Sequence, residues 1–174
     1  MKKLKGLFSL IRFELPLAAG ICVILGQLFA LGYFAPVYLI LTAALSVFFI
    51  SASILVSNDY FDIETDRINA PHRPIPSGLI IPEEALAFTV FLLLTGLILS
   101  STISITALFF SIGLTIIGFL YNRKLKKHGL IGNIMVSFSV GMTFVFGGLS
   151  VGFPLNKIVM FFAVIAALVD LGEE

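Results

Sequence analysis

Long apolar runs separated by short polar segments constrain this chain more than any other feature. Hydrophobic residues make up 59% of its 174 positions and charged residues only 12%. A water-soluble domain of this length cannot bury so much apolar side chain, whereas a helix of about 20 apolar residues crosses the hydrocarbon core of a bilayer. The sequence therefore predicts an all-α integral membrane protein, a multi-span helical bundle in which residues 1–174 form a single membrane domain.

The apolar runs predict five full spans plus a sixth. They cover residues 15–34, 37–57, 85–100, 103–120, 130–151 and 158–171. The fifth run is rich in glycine and serine, which let membrane helices approach closely, so we expect it to be central in the bundle. The polar residues inside the runs, Gln27, Thr42, Thr95 and Thr115, are expected to form hydrogen bonds between helices.

The basic residues predict an orientation in the membrane. Of the eleven lysines and arginines, all except Lys157 lie in the N-terminal segment, in residues 58–78 or in residues 121–129. Alternating spans place these three segments on one side, and the positive-inside rule makes that side cytoplasmic. We expect a multi-pass protein of the cell membrane with a cytoplasmic N-terminus, in which the basic start anchors the first helix and is not a cleaved signal peptide.

The stretch 58–78, NDYFDIETDRINAPHRPIPSG, is the most polar part of the chain. Read as one helix at roughly 100° per residue, it places Asp59, Asp62 and Asp66 on one face and points Glu64 away. Three neighbouring carboxylates repel one another unless a cation lies among them, and Mg²⁺ binds through one or two carboxylates together with substrate phosphates. The three aspartates are therefore predicted metal ligands and catalytic residues for a diphosphate substrate. The alternative interpretation is a solvated charged cap on a membrane helix.

A basic loop, 121–129 with the sequence YNRKLKKHG, is predicted to face the acidic stretch, so that 58–82 and 121–129 are cytoplasmic active-site loops. Lysines opposite a metal site suit an anionic substrate, although such loops also set topology and contact anionic lipid. Asn133, one turn into the fifth span, is expected either to face this cavity or to bond to another helix. His72 and His128 are expected to be solvated, and the sequence has no nucleic-acid-binding signature.

Three motifs resemble the UbiA superfamily of intramembrane prenyltransferases. They are the N-D-x-x-D-x-x-x-D pattern that begins at Asn58, the R-P-I-P-S-G run at 73–78, and the run 121–148. Within the superfamily, the segments 68–78 and 130–148 are most similar to the archaeal branch that makes membrane lipids, and the chlorophyll branch shares the first of these segments.

The resemblance implies a bundle of nine membrane helices and a Mg²⁺-dependent transfer of a prenyl group from its diphosphate to an acceptor. In the archaeal branch the prenyl group is geranylgeranyl and the acceptor is a glycerol-phosphate lipid. An aromatic or chlorophyll-type acceptor is the first alternative, and a non-enzymatic membrane fragment or assembly partner is the second. The residue roles that the resemblance implies are Mg²⁺ and diphosphate binding by Asn58, Asp59, Asp62 and Asp66, a polar mouth lined by Arg67 and Arg73, and diphosphate contacts from Tyr121 and Lys126.

The end of the chain departs from the family pattern. Members of the superfamily carry a second aspartate-rich motif after a Leu-Gly-x-Glu sequence, and here Leu171-Gly172-Glu173-Glu174 are the last residues. We therefore expect the chain to correspond to the N-terminal part of such an enzyme, without the C-terminal helices. By itself it is expected to be inactive, and a separate C-terminal half is a candidate partner.

Overall fold

The computed structural model describes residues 2–127 and 129–173, so the prediction for His128 lies outside the described residues. Every regular element in the described part is a helix. The helices are α1 (Lys2–Ile11), α2 (Glu14–Leu31), α3 (Val37–Phe61), α4 (Ile63–Asn69), α5 (Pro82–Ile103), α6 (Ile105–Arg123), α7 (Leu130–Ser150) and α8 (Lys157–Glu173), with a single 3₁₀ turn at Leu125–Lys127.

Five of these helices, α2, α3, α5, α6 and α7, are long and apolar enough to cross a membrane. The sixth predicted span is present as the apolar helix α8, which has 17 residues. At 1.5 Å per residue α8 is about 26 Å long, slightly less than the roughly 30 Å of a hydrocarbon core. The predicted multi-span helical bundle is confirmed.

Local sequence accounts for where several spans begin and end. Helix α2 stops at Gly32, which adopts a left-handed φ of 77° and donates its N–H to the carbonyl of Leu28. Pro82 and two glutamates begin α5, and the N–H of Ile81 donates to Glu84 Oε2 at 3.2 Å. Prolines and acidic residues suit the first turn because its N–H groups have no partners inside the helix.

Helix α1 lies before the first predicted span and is not among the predicted helices. Leu10 and Ile11 are buried in a cluster with residues of α3 and α5, while Leu4 and Phe8 remain 59% and 48% exposed. Arg12 then takes a left-handed φ of 50°, which turns the chain between α1 and α2. A short basic helix with an apolar side is suited to the membrane interface.

Helices α3 and α7 hold the bundle together. Helix α3 contacts α1, α2, α4, α5, α6 and α7. Helix α7 packs closely on two neighbours: a Cβ at Gly147 would lie 2.2 Å from the carbonyl oxygen of Val23 in α2, and one at Gly141 would lie 2.6 Å from that of Ala163 in α8. The predicted close packing of the fifth span through small residues is therefore confirmed.

The polar residues inside the spans behave in two ways. Gln27 does join helices, because its Nε2 donates to the Leu39 carbonyl at 3.2 Å and to Ser150 Oγ at 2.9 Å. The same prediction is wrong for three threonines, each of which donates to the carbonyl four residues earlier in its own helix; these are Thr42, Thr95 and Thr115. A threonine hydroxyl reaches that carbonyl without any neighbouring helix.

Candidate active site

The acidic stretch is two helices and not one. Helix α3 ends at Phe61, Asp62 takes φ −91° and ψ 4°, and α4 begins at Ile63. The ladder of backbone hydrogen bonds nevertheless continues across the junction, since the N–H of Asp62 donates to Asn58 and that of Asp66 donates to Asp62. The predicted single helix is therefore wrong in this detail, and the tertiary contacts decide which groups the carboxylates face.

Two of the carboxylates meet arginines. Arg73 Nη1 donates to Asp66 Oδ2 at 2.6 Å and lies 3.7 Å from Asp59 Oδ1. Arg12 Nη2 donates to the same oxygen of Asp59. Asp59 and Asp66 are only 4% and 6% exposed, and buried charges require such partners. The hydrogen bond to Asp66 raises the pKa of Arg73 above its usual value, so Arg73 stays cationic.

The third carboxylate meets the basic loop. Lys126 Nζ forms an ion pair with Asp62 Oδ2 and donates to Asn58 Oδ1 at 3.1 Å. Asn58 Nδ2 also donates to Asp62 Oδ2, at 3.0 Å. Residues almost 70 positions apart in sequence thus form one closed set of contacts, and the predicted facing of the acidic and basic segments is seen at these three side chains.

The remaining predicted site residues are Tyr121, Asn133 and Arg67. Tyr121 lies against the start of α7, where a Cβ at Gly132 would come within 3.2 Å of its ring. Asn133 is half-buried in the first turn of α7. Arg67 instead forms an exposed ion pair with Glu64 at 3.0 Å. Among the described residues, the side chains of Asn133 and Arg67 form no ion pair or hydrogen bond with the three aspartates.

An apolar cavity of about 630 Å³ extends from this cluster into the bundle. Its walls come from α2, α3, α6 and α7, and include Leu15, Val47, Leu114, Val140 and the buried ring of Phe146. Its polar lining consists mainly of Arg12, Asn58, Tyr121, Asn122, Lys126 and Asp170. A cavity of this kind suits a ligand with an anionic head and a long apolar tail.

Sequence reasoning missed three residues of this cavity. In the sequence, Arg12 is only one of several basic residues near the N-terminus. Asn122, in α6, donates from Nδ2 to the Ile54 carbonyl at 2.7 Å and to Ser57 Oγ at 2.8 Å, which ties α6 to α3. Asp170, in α8, accepts a hydrogen bond from Ser137 Oγ at 2.8 Å. A carboxylate inside an apolar run was a usable signal for Asp170, whereas only the fold brings Arg12 to Asp59.

The carboxylates do not form an all-protein metal cage. Across residues 2–127 and 129–173, no three acidic, histidine or cysteine side chains converge as metal ligands. Each aspartate uses one oxygen in its ion pair, which leaves a second oxygen on Asp59, Asp62 and Asp66. This donor set suits a hard cation that completes its coordination with oxygens from a phosphate and from water.

Comparison with known proteins relates the chain to one family. Residues 19–171 match the UbiA prenyltransferase family. Among curated proteins, the chain is 39% identical over 150 residues to digeranylgeranylglyceryl phosphate synthase of Methanocaldococcus jannaschii, covering 86% of this chain and 53% of that protein. The protein of the same name from Thermococcus sibiricus is 34% identical over 174 residues, covering 99% of this chain and 61% of its own length. The chain thus spans about half to three fifths of these relatives.

Solved structures give the same relationship. A structure described under "Structural and mechanistic insights into the biosynthesis of Digeranylgeranylglyceryl phosphate synthase in membranes" matches with a TM-score of 0.86 and 38% identity, covering 98% of this chain and 59% of the other. A UbiA homologue from Aeropyrum pernix K1 in its apo form matches with a TM-score of 0.79 and 17% identity, covering 92% of this chain and 61% of the other. The second match shows the shared fold alone.

Proposed function

Because this chain belongs to the UbiA prenyltransferase family, we propose that it forms the donor-binding part of an enzyme that transfers a prenyl group from its diphosphate to an acceptor. More narrowly, the donor is geranylgeranyl diphosphate and the acceptor is a glycerol-phosphate lipid. The names of the relatives from M. jannaschii and T. sibiricus support this substrate pair. The contacts among the described residues support the residue roles proposed below.

The observation that carries the proposal is a cluster of ionic groups at one end of an apolar cavity. Lys126 and Asn58 line the cavity and also contact Asp62. A prenyl diphosphate has two matching parts, an anionic head and a hydrocarbon tail. The head would lie at the aspartates and Lys126, and the tail would extend between α2, α3, α6 and α7, where apolar walls exclude water from the reacting carbon.

The aspartates would hold a divalent cation, for which we propose Mg²⁺. Asp59, Asp62 and Asp66 supply the free carboxylate oxygens, and the diphosphate supplies others. When bound, such a cation offsets the negative charge that develops on the leaving diphosphate. Lys126 would then exchange its contact with Asp62 for a phosphate oxygen, because an ammonium group has three donors that rotate freely about the end of a flexible side chain.

Arg73 and Tyr121 are the other residues proposed to take part in the site. Arg73 would hold Asp66 and Asp59 in place, and Tyr121, which lines the apolar cavity, would contact the diphosphate. The charged end of the bundle would face the cytoplasm, as the positive-inside rule predicts. A C-terminal half, either in the same polypeptide or separate, would correspond to the rest of the relatives' length.

The test is a transfer assay with the complete protein in membranes. Labelled geranylgeranyl diphosphate is supplied with a phosphorylated glycerol monoether, with an aromatic acceptor or with no acceptor. Each reaction is run once with added Mg²⁺ and once with a chelator, and the lipid products are then separated. We expect a metal-dependent product with the phosphorylated glyceryl acceptor. A product with the aromatic acceptor alone would change the acceptor class, and no product with any acceptor would contradict the enzymatic proposal.

A further inference from the structure

A second cavity lies on the other side of the Arg12–Asp59 ion pair. It has a volume of about 550 Å³ and is formed between α1 and residues 72–79. We call it the α1 cavity. Its charged lining is Lys5, Arg12, Arg73 and Asp59, and His72 also lines it. Arg12 lines both this cavity and the apolar one.

The α1 cavity has an excess of positive charge and of unused donors. The lining includes three cationic side chains, of which Arg12 pairs with Asp59 and Arg73 pairs with Asp66, so Lys5 leaves a net charge of +1. Arg12 uses only Nη2 and Arg73 only Nη1 in the ion pairs described above, although each guanidinium carries five N–H groups. Lys5 forms no ion pair or hydrogen bond with any other residue in the described part of the chain. These donors suit an anion with several acceptor oxygens.

We propose that the α1 cavity binds the phosphate of the acceptor. This inference rests on the proposed function and adds a second phosphate site to it. A phosphomonoester carries a charge of about −1.5 to −2 at neutral pH, and the charge of Lys5 together with the remaining N–H groups of Arg12 and Arg73 would attract it. The donor diphosphate occupies the other side of Arg12, at the aspartates and Lys126. Because Arg12 lines both cavities, an acceptor phosphate in the α1 cavity would lie close to the prenyl cavity.

The position of α1 indicates that the phosphate comes from a membrane lipid. The exposed apolar side chains Leu4 and Phe8 share α1 with Lys3 and Lys5, and a helix of this kind lies in the plane of the head groups. A lipid phosphate can reach the α1 cavity at that depth without leaving the membrane. Free inorganic phosphate has the same recognition chemistry, and the experiment separates the two sources.

The kinetic test uses Lys5→Gln in the complete protein, with Lys3→Gln as the matched control. Lys3 lies on the same helix but pairs with Glu84 at 2.6 Å and does not line the cavity. We expect Lys5→Gln to raise the KM for the phosphorylated acceptor about tenfold, which corresponds to about 1.4 kcal/mol, and to leave the KM for the donor unchanged. With an acceptor analogue that lacks the phosphate, both variants should match the unaltered protein. A rise in the KM for the donor would overturn the proposal and leave the proposed function intact.

A binding test shows whether the α1 cavity binds the acceptor phosphate even if no transfer is detected. Purified protein in detergent, free of divalent metal, is titrated with the phosphorylated glycerol monoether lipid and separately with inorganic phosphate. We expect the lipid to bind more tightly than free phosphate and Lys5→Gln to weaken its binding about tenfold. Equal binding to the Lys5→Gln and Lys3→Gln variants, or binding of free phosphate alone, would overturn the proposal. Failure of all transfer with this binding intact would reject the proposed reaction and keep the site.

Discussion

At the scale of single residues, each aspartate of the site is defined by the cation that it faces. Asp62 is held by Lys126, whereas Asp66 and Asp59 are held by Arg73 and Arg12. Removal of a carboxylate that is proposed to hold the metal should cost much more activity than removal of an exposed charge nearby. The variants Asp62→Asn and Glu64→Gln test this difference.

We predict that Asp62→Asn lowers prenyl transfer by about 10²–10³-fold, the loss expected when a transition-state contact of roughly 3–4 kcal/mol is removed. Glu64→Gln is the control, since the Glu64 side chain is 86% exposed and pairs only with Arg67 in the described part. Its activity should stay within about twofold of the unaltered protein, because exposed ion pairs contribute little. Steady-state transfer rates measure both, and equal losses would contradict the assignment of Asp62.

The Arg12–Asp59 pair gives a prediction for stability. Arg12→Met leaves the Asp59 carboxylate, only 6% exposed, with Arg73 at 3.7 Å as its remaining cation. We expect a loss of about 1–3 kcal/mol, the usual cost of a buried polar group that lacks its partner. Thermal unfolding in detergent should show that Arg12→Met with Asp59→Asn is more stable than Arg12→Met alone. Purely additive effects would show that the two side chains do not stabilise one another.

At the scale of elements, α1 and α7 depend on different kinds of contact. Helix α1 is joined to the bundle by Leu10 and Ile11 and by the ion pair of Lys3 with Glu84. Helix α7 is joined by backbone approach, because its glycines lie against the carbonyl groups of α2 and α8. Such close approach contributes much of the packing energy between membrane helices, where burial from water contributes none.

Gly147→Ala should therefore destabilise the bundle. The added Cβ would lie 2.2 Å from the carbonyl oxygen of Val23, and overpacking of this kind typically costs about 1–3 kcal/mol. Gly113→Ala in α6 is the matched control, because no described atom apart from those of the neighbouring backbone in its own helix lies within 4 Å of its added Cβ. We expect a lower melting temperature in detergent for Gly147→Ala only. A similar decrease for Gly113→Ala would indicate an effect of the alanine itself and not of helix packing.

At the scale of the whole molecule, the charged groups gather at one end of the bundle. The α1–α2 turn, the α3–α4 junction and the 3₁₀ turn before α7 meet there through Arg12, Asp59, Asp62 and Lys126. The amino-acid distribution predicts that this end faces the cytoplasm.

Single cysteines should report the orientation. In a Cys22→Ser background, Ser101→Cys in the last turn of α5 should react with a membrane-impermeant thiol reagent added outside intact cells. Lys124→Cys, which follows α6 at the other end, should react only after the cells are opened. Both positions are exposed. Labelling of position 124 from outside would reverse the predicted orientation.

Residues 1–174 expressed alone should bind a divalent metal and diphosphate weakly and transfer no prenyl group at a measurable rate. The matched relatives are longer, since the chain covers 53% and 61% of them, and ligands on the far side of the diphosphate would come from that additional length. Co-expression with the C-terminal segment of a relative should restore transfer, because membrane helices can assemble after separate insertion. Diphosphate binding and product formation in membranes measure the two parts, and full turnover by residues 1–174 alone would contradict this prediction.

Some features of this protein follow from sequence because they depend on composition and local pattern. Apolar runs of about 20 residues determine the number of spans, since lipid tolerates only backbone whose hydrogen bonds are satisfied internally. The pattern around Asn58, Asp62 and Asp66 likewise indicates the site, because clustered carboxylates beside an apolar helix are costly without a function. Lys126 was accessible to the same reasoning through its place in a basic loop.

Only the tertiary structure decided the partners of those groups. Asp59 faces an arginine 47 residues earlier, and Asp62 faces a lysine 64 residues later; such distances in sequence carry no local signal. The left-handed turn at Arg12 is likewise an outcome of packing, since α1 must fold back onto α3 to bury Leu10 and Ile11. The sequence thus determined the spans and the acidic stretch, while the fold determined the two cavities and the ion pair between them, because cavities and ion pairs arise from contacts between distant helices.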